Sequence, residues 1–237
     1  MALDTKVYDE LSAKACRGYL GINYGRELEK KLMLNYLQKV KARSVLDLAC
    51  GAGRMSMFLA KNGYNVVGLD ASYDMLALGV KEIEKFPDIQ NKVRFVLGDM
   101  CNFSFGRKFD AVTIAFNSFW YCFYSGPRYD DSDRIFKLAE SCIACIIDNL
   151  KKGGILLIDK PGWLTGGSSH LSGPTSKWWH EMARRYSVHL IADEYHRFFE
   201  DRPEYDLSNG GVKIIKRYSK CYWPNTDRAD VLIGKKL

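Results

Sequence analysis

Acidic and glycine residues follow apolar runs in the first half of the sequence, at a spacing that suits a nucleoside. Residues 44–49 (SVLDLA) predict a buried strand that leads into a turn containing Gly51 and Gly53. Glycine lets a ligand approach the backbone closely and adopts positive φ, and a helix N-terminus after the turn favours a polar or negative group. Asp70 ends the next apolar run. A carboxylate there can accept hydrogen bonds from ribose hydroxyls.

A third acid extends this pattern. Gly98, Asp99 and Met100 follow the apolar run 93–97, and an acid there can accept a hydrogen bond from an adenine amino group. Because ligands of parallel sheets bind beyond the carboxyl ends of the strands, these acids are expected beside the glycine turn. Local roles are the alternative: Asp47 would hold the turn, and Asp70 and Asp99 would cap helices or lie in solvated turns.

The elements that must position these residues alternate along the chain. Near-continuous apolar strands between helices favour an α/β fold with a mostly parallel sheet and helices on both faces. Ser72 is a suitable N-cap and Gly63 a suitable C-cap. We predict strands at 44–49, 65–69, 93–97, 109–115 and 155–159, and helices at 26–40, 54–62, 72–85 and 132–149. Gly153-Gly154 is expected to break the chain before the fifth strand.

The composition of the chain changes after residue 160. Residues 161–176 are rich in Gly, Ser, Thr and Pro and predict a long loop. Residues 178–186 suit a short helix, and residues 194–237 suit antiparallel strands with a turn at 208–211. We therefore expect a single domain over residues 1–237, with a helical cap at 1–43, a cofactor-binding core at 44–160, and a substrate lid with C-terminal strands at 161–237.

Length and charge restrict the class of protein. The chain has 237 residues, an apolar fraction of 47% and a formal charge of +7, which suits one folded domain. Its Lys and Arg residues are spread along the sequence, whereas nucleic-acid binders usually concentrate them. The one modest group is Lys213, Lys216, Arg217 and Lys220, as expected for a protected strand edge. Without an apolar run of about 20 residues or an apolar leader, we expect a cytoplasmic protein.

Cysteine and histidine patterns do not predict a metal site. The seven cysteines are irregularly spaced, which argues against a disulfide framework. Cys142 and Cys145 form a single C-x-x-C pair within a helical pattern, where both are expected to pack as small apolar groups. No second pair completes a zinc site, and the four histidines lack a recognised ligand spacing.

The glycine pattern of the turn indicates which type of nucleotide the protein binds. A dinucleotide fingerprint would have a third glycine where this sequence has Ser56. The run Val45–Gly53 (VLDLACGAG) instead resembles motif I of class I S-adenosylmethionine-dependent methyltransferases. The resemblance covers residues 44–160 and continues in LDAS with Met75-Leu76, Gly98-Asp99-Met100, FDAV at 109–112 and LKKGGIL at 150–156.

This resemblance implies a Rossmann-like class I fold, S-adenosylmethionine as cofactor, S-adenosylhomocysteine as product, and no metal. It also implies the residues that bind the cofactor in the core, which are Asp47, Ala49, Gly51, Gly53, Asp70, Ala71, Met75, Asp99, Met100 and Ala115.

Two stretches are similar to glycine N-methyltransferase and related small-molecule N-methyltransferases. The first is Tyr19-Leu20-Gly21 followed by Arg26. The resemblance implies that Arg26 binds the methionine carboxylate of the cofactor, a role that suits the planar guanidinium. Tyr19, in the same segment, becomes a candidate for substrate contact.

The second stretch is FDAV at 109–112 leading to Asn117-Ser118-Phe119. The resemblance implies that Asn117 contacts the acceptor, with Trp120 and Tyr121 lining its pocket. One position departs from the family: Pro161 stands where glycine N-methyltransferase has the arginine that holds the glycine carboxylate. Glycine is therefore not supported as the acceptor.

The expected reaction is an in-line methyl transfer to a small molecule. An amine acceptor needs little help from a general base, whereas a hydroxyl acceptor needs one. The core motifs contain no histidine, which favours N-methylation, and the catalytic candidates are Tyr19, Asn117, Tyr121 and His180. Alternatives are a small-molecule O-methyltransferase, an RNA or DNA methyltransferase, and a cofactor-binding protein without activity. We expect neither a nucleic acid nor a membrane as partner, and a homo-oligomer stays open.

Overall fold

The computed structural model describes residues 27–115, 118–119, 132–159, 188–195, 212–218 and 230–236. Its helices and strands, in chain order, are α1 (Glu27–Lys39), β1 (Ser44–Leu48), α2 (Arg54–Lys61), β2 (Asn65–Asp70), α3 (Tyr73–Ile83), β3 (Val93–Leu97), β4 (Phe109–Ile114), α4 (Ser132–Asn149), β5 (Leu150–Asp159), β6 (Val188–Tyr195), β7 (Val212–Tyr218) and β8 (Asp230–Lys236). A 3₁₀ turn at Gln90–Lys92 precedes β3.

The strands form one sheet in the order β3-β2-β1-β4-β5-β8-β6-β7. Strands β1 to β5 pair in parallel, and β8 is antiparallel to both β5 and β6. The order reverses at β1, because the chain first builds outward to β3 and then returns to place β4 on the other side of β1. This parallel order with a reversal confirms the predicted Rossmann-like architecture. Open α/β sheets bind their ligands at such a switch point.

Two apolar clusters pack against opposite faces of the sheet. One joins residues of β1, β2 and β4, such as Leu46, Leu69 and Ile114, to the buried side of α4. The other joins the alternate residues of the same strands to α1, α2 and α3. Burial on both faces explains why these strands are almost continuously apolar in sequence.

Most predicted element boundaries in the core are confirmed. The Ser72 hydroxyl accepts a hydrogen bond from the Met75 amide at 3.2 Å, so it caps α3 as expected. Gly63, just after α2, has a φ of 96°.

Cys142 is fully buried, and the Cys145 thiol lies 3.5 Å from the Cys101 carbonyl oxygen. All described cysteines are free thiols.

Strand β5 begins earlier than predicted. Phe109 pairs with Leu150 and Ala111 pairs with Ile155, so β5 has three extra residues between two rungs of the ladder. Gly153, with a φ of 77°, lies within this irregularity. The two glycines therefore do not end the strand, because they accommodate a bulge that keeps both sides paired.

The antiparallel prediction for residues 194–237 is wrong for one pair of strands. β6 begins at Val188, and β7 pairs with it in parallel. The 16 residues between them are long enough for the crossover that parallel strands require. β8 does pair antiparallel, between β5 and β6. The predicted turn at 208–211, the loop at 161–176 and the helix at 178–186 lie outside the described residues.

Charged residues of the C-terminal part occupy the sheet edge. Lys213, Lys216 and Arg217 belong to β7, the last strand in the described order, as expected for a protected edge. Lys220 lies outside the described residues. None of the helices described here is long and apolar enough to cross a membrane.

Candidate functional site

The switch point places the chain after β1 between the ends of β2 and β4. Asp47 pairs with Gly68 of β2 on one side and with Thr113 of β4 on the other. The following turn is anchored by two backbone hydrogen bonds: the Cys50 amide donates to the Leu69 carbonyl at 3.1 Å, and the Gly53 amide donates to the Cys50 carbonyl at 2.9 Å. The turn is therefore fixed at the carboxyl edge of the sheet.

Positive φ angles shape this turn. They are 51° at Ala49, 54° at Gly51 and 80° at Gly53. A Cβ at Gly53 would lie 2.3 Å from Cζ of Phe95, whose ring occupies the space beneath the turn. Glycine is thus required at position 53 by its backbone conformation and by close packing. Ala49 adopts the left-handed conformation with a methyl group, which costs about 1–2 kcal/mol.

Two further glycines let other groups approach the turn. A Cβ at Gly68 would lie 2.8 Å from the Cys50 sulfur and 2.9 Å from the Ser56 hydroxyl. A Cβ at Gly79 of α3 would lie 2.9 Å from the Ala52 carbonyl oxygen. The turn is therefore packed closely against β2 below it and α3 beside it.

The Asp47 carboxylate holds the turn from beneath. Its side chain is 1% exposed and accepts hydrogen bonds from the Ser56 hydroxyl at 2.6 Å and the Thr113 hydroxyl at 2.9 Å. Burial raises the pKa of Asp47 to about 6, although both hydrogen bonds oppose this shift. One carboxylate thus links β1, α2 and β4, which is the local alternative considered for Asp47. Its predicted contact with the cofactor stays a prediction.

Asp70 lies against the top of the same turn. One carboxylate oxygen accepts the Gly51 amide at 2.7 Å and the other accepts the Ser72 amide at 2.9 Å. Burial raises the pKa of Asp70, while hydrogen bonds from the Ser72, Gly51 and Ala71 amides act in the opposite direction. Asp70 therefore joins the end of β2 both to the glycine turn and to the start of α3.

The third predicted acid lies next to Asp70. The Gly98 amide donates to the Asp70 carbonyl at 2.9 Å, which places Asp99 one residue beyond this contact. One oxygen of Asp99, Oδ1, accepts the Cys101 amide at 2.7 Å. Within the described part of the chain, its second oxygen has no hydrogen-bond partner. Hydrogen bonds thus connect the glycine turn to Asp70, and Asp70 to the segment that carries Asp99.

The other predicted cofactor residues differ in accessibility. The Met75 methyl group lies 3.1 Å from the position of a Cβ on Gly51, so this side chain packs against the turn. Met100 is 2% exposed and belongs to the core, and Ala115 is 5% exposed. Ala71 is half-buried. Tyr19, Arg26, Asn117, Trp120, Tyr121 and His180 lie outside the described residues, and their roles stay predictions.

Sequence reasoning missed the residues that support the turn. Ser56 and Thr113 hold Asp47, and Phe95 fills the space beneath Gly53. Thr113 did give a signal, since it is a polar residue inside the otherwise apolar end of β4. No comparable signal marks Phe95, because its position is one of several apolar positions in β3. Among the described residues, no group of three side chains has the composition of a metal site.

Substitution of Gly53 should separate close packing from backbone strain. Gly53→Ala is expected to lower the free energy of unfolding by about 2–4 kcal/mol, since strain and overlap with Phe95 add. Gly63→Ala, at a φ of 96° with no atom within 4 Å of the added Cβ, should cost about 1–2 kcal/mol. Gly106→Ala, which has neither feature, should change it by less than about 0.5 kcal/mol. Urea denaturation measures all three, and equal losses at Gly53 and Gly63 would contradict the packing.

Asp47 should make stability fall as pH rises. Its pKa is about 6 in the folded state against 3.8 for the unperturbed group, so the folded state holds more protons between these values. The free energy of unfolding of wild type relative to Asp47→Asn should therefore fall by about 2 kcal/mol between pH 4 and pH 7. Denaturation curves over this range measure the difference, and parallel pH profiles would refute it.

Asp110→Asn is the matched control for this experiment. Partial burial raises the pKa of Asp110, but hydrogen bonds from Lys151, from the Arg43 and Ser44 amides and from the Ser44 hydroxyl outweigh it and hold the pKa well below its ordinary value. The stability that Asp110 contributes is present above its unfolded pKa and is lost as pH falls. Wild type should therefore gain stability over Asp110→Asn as pH rises through the acidic range, opposite in sign to Asp47.

Known proteins with similar sequences provide independent evidence on the family of this chain. Residues 45–128 match the family described as a methyltransferase domain. The chain is 31% identical over 208 residues to a glycine/sarcosine N-methyltransferase of Parasynechococcus marenigrum (strain WH8102), covering 84% of this chain and 66% of that protein. It is 41% identical over 100 residues to the dTDP-3-amino-3,6-dideoxy-alpha-D-glucopyranose N,N-dimethyltransferase of Streptomyces fradiae, covering 41% of this chain and 36% of that protein.

The fold has a solved counterpart over nearly its whole length. An S-adenosylmethionine-dependent methyltransferase from Clostridium acetobutylicum ATCC 824 superimposes with a TM-score of 0.60 at 15% identity, covering 98% of this chain and 99% of that one. The chain covers only part of the two curated relatives described above, namely 36% of the Streptomyces fradiae protein and 66% of the Parasynechococcus marenigrum protein. The motifs, the sheet order and the relatives agree, and the chain belongs to the class I S-adenosylmethionine-dependent methyltransferases.

Proposed function

We propose that this protein binds S-adenosylmethionine at the carboxyl edge of β1, β2 and β3 and transfers its methyl group to an amine of a small molecule. The observation that carries the proposal is the 2.7 Å hydrogen bond between the Asp70 carboxylate and the Gly51 amide. It brings a ribose-binding acid and a glycine turn together at the switch point of the sheet, where this fold class binds nucleotides.

The acids at this edge have the capacity that a nucleoside requires. A carboxylate offers about four acceptor positions, and the amides around Asp70 use part of them. The rest is available for a ribose hydroxyl. Asp99 keeps an oxygen without a partner among the described residues, which suits an adenine amino group. These are the roles proposed for Asp70 and Asp99.

Ser56 argues against a dinucleotide at the same turn. It stands where the dinucleotide fingerprint requires its third glycine, and it is fully buried with its hydroxyl bonded to Asp47. The position therefore serves to support the turn rather than to give a close helix–strand approach around a pyrophosphate. This supports a mononucleoside such as S-adenosylmethionine over NAD.

The chain's contribution to the reaction is mainly alignment. Bound S-adenosylmethionine supplies a methyl group already activated on sulfur, so the protein must hold an acceptor in line with it and exclude water; orientation of this kind contributes up to about 7–11 kcal/mol. Burial, with the Asp47 and Asp70 carboxylates nearby, raises the pKa of the Cys50 thiol well above its ordinary value. Cys50 therefore stays protonated and does not compete as a nucleophile.

An amine acceptor is supported by the relatives and by one departure from them. The two similar proteins described above are both N-methyltransferases. Pro161, however, offers no cation for an amino-acid carboxylate, which favours an amine on another kind of molecule. In this proposal Arg26 binds the methionine carboxylate, Tyr19, Asn117, Trp120 and Tyr121 surround the acceptor, and His180 is the candidate base should the acceptor be a hydroxyl.

Calorimetry should detect the cofactor directly. Wild-type protein is expected to bind S-adenosylmethionine and S-adenosylhomocysteine with micromolar dissociation constants and NAD not at all. Asp70→Ala should weaken both affinities at least tenfold, because it removes the ribose acceptor and the brace on Gly51. Asp88→Ala, which removes an exposed acid of the loop before β3, is the matched control and should bind as wild type. A well-folded protein that binds neither sulfur nucleoside would refute the proposed cofactor.

Transfer of radiolabelled methyl groups should identify the class of acceptor. A panel of glycine, sarcosine, amino-sugar nucleotides, phenols and RNA is incubated with protein and labelled S-adenosylmethionine. We expect label in a non-amino-acid amine and not in glycine. Label confined to hydroxyl compounds or to RNA, with intact cofactor binding, would overturn the N-methylation proposal while leaving the cofactor assignment in place.

A further inference from the structure

A basic depression lies at the amino edge of the sheet, opposite the glycine turn. It has a volume of about 640 Å³ and twelve lining residues, of which seven are Lys or Arg. Lys92 and Arg94 lie at the start of β3, and Arg107 and Lys108 directly precede β4. The depression thus includes chain segments at the amino ends of β3 and β4.

The other three cations come from the segment before β1 and from β5. Lys41 and Arg43 precede β1, and Lys151 lies at the start of β5. One carboxylate, Asp110, accompanies them, so the depression carries a formal charge of +6, close to the +7 of the whole chain. Positive charge that is spread evenly along the sequence is therefore concentrated in space.

Asp110 neutralises only one of these cations. It accepts the Lys151 ammonium at 2.7 Å, and its second oxygen accepts the Arg43 and Ser44 amides at 2.9 Å each. In the part of the chain that the structure describes, the other six cations have no carboxylate partner, and all but the half-buried Lys92 are exposed. These charges repel one another, and a polyanion would relieve the repulsion.

The extent of the depression favours an extended polyanion over a compact one. Its cations span five adjacent strands, from β3 to β5, which is about 19 Å at the usual strand spacing. One strand of a duplex carries a phosphate about every 3.4 Å along the helix axis, so five or six phosphates fit this span. A nucleoside triphosphate is too short to engage it fully.

The composition of the lining points to backbone contact without base reading. None of the twelve lining residues is aromatic, whereas proteins that hold single strands stack bases on aromatic rings. We propose that this depression binds the phosphate backbone of double-stranded nucleic acid, independently of sequence. The proposal does not depend on the cofactor assignment, because the depression lies at the edge of the sheet opposite Asp70.

The proposed duplex binding is tested by fluorescence anisotropy over 50–300 mM KCl, with a labelled 20-base-pair DNA duplex of scrambled sequence. Wild type should bind with an affinity that falls steeply with salt. The double variant Arg94→Gln/Lys108→Gln should bind at least tenfold more weakly at 50 mM KCl, with a log–log salt slope smaller by about 1.8, since each phosphate contact contributes about 0.9. Lys31→Gln/Lys81→Gln, which neutralises two exposed helix cations outside the depression, should bind as wild type.

Several outcomes would overturn the proposal. These are absence of duplex binding at 50 mM KCl, equal losses in both double variants, competition by tripolyphosphate at equal phosphate concentration, and binding of phosphatidylserine vesicles in place of the duplex. Calorimetry with S-adenosylhomocysteine, unchanged in the Arg94→Gln/Lys108→Gln variant, would separate loss of duplex binding from loss of the cofactor site or of folding.

A second measurement uses unaltered protein. Acetylation footprinting by mass spectrometry should show that the duplex protects Lys41, Lys92 and Lys108. Lys31 and Lys81 should react equally with and without duplex. Uniform protection of all five lysines, or of none, would contradict docking in the depression.

Discussion

A buried carboxylate accepting two hydroxyl hydrogen bonds is the interaction on which this site depends. Asp47 lies at the end of the central strand, and its partners Ser56 and Thr113 belong to the following helix and the neighbouring strand. A buried charge is tolerated only when its acceptors are satisfied, so the three elements must keep their relative positions. The glycine turn lies between Asp47 and Ser56, so it is held rigid by the same hydrogen bonds. A ligand at the turn therefore meets backbone groups that are already in place, which limits the entropy lost on binding.

Close packing also holds the glycine turn in place. Phe95 lies beneath Gly53, the Cys50 sulfur and the Ser56 hydroxyl lie over Gly68, and the Ala52 carbonyl approaches Gly79. Each glycine removes a side chain so that another group can come within van der Waals distance. The turn is closely packed on its lower side, and its exposed side presents the acceptor oxygens of Asp70 and Asp99. In the proposed function, stability and nucleoside binding thus come from the same few residues.

The sequence predicted the core well because local patterns and burial agree there. Apolar runs in β1, β2, β4 and β5 are buried on both faces, and the caps at Gly63 and Ser72 follow local rules. The acids at strand ends were found because their place in the fold follows from strand order. Contacts between distant residues were not found. Thr113 meets Asp47 across 66 residues, and seven cations from four chain segments meet at the amino edge, which no local pattern reveals. The parallel pairing of β6 and β7 was missed because a long connection permits a crossover that a short turn would forbid.

The place of β8 in the sheet affects how the chain is assembled on the ribosome. Among the described strands, β6 and β7 join the rest only through β8, which follows both in the sequence. While the chain is being synthesised, β1 to β5 can pair as soon as they emerge. β6 and β7 must wait with unpaired backbone edges until β8 is released from the exit tunnel. That interval is when the nascent chain is most exposed to strand-to-strand aggregation, and it makes β8 the strand whose early truncation would detach two others.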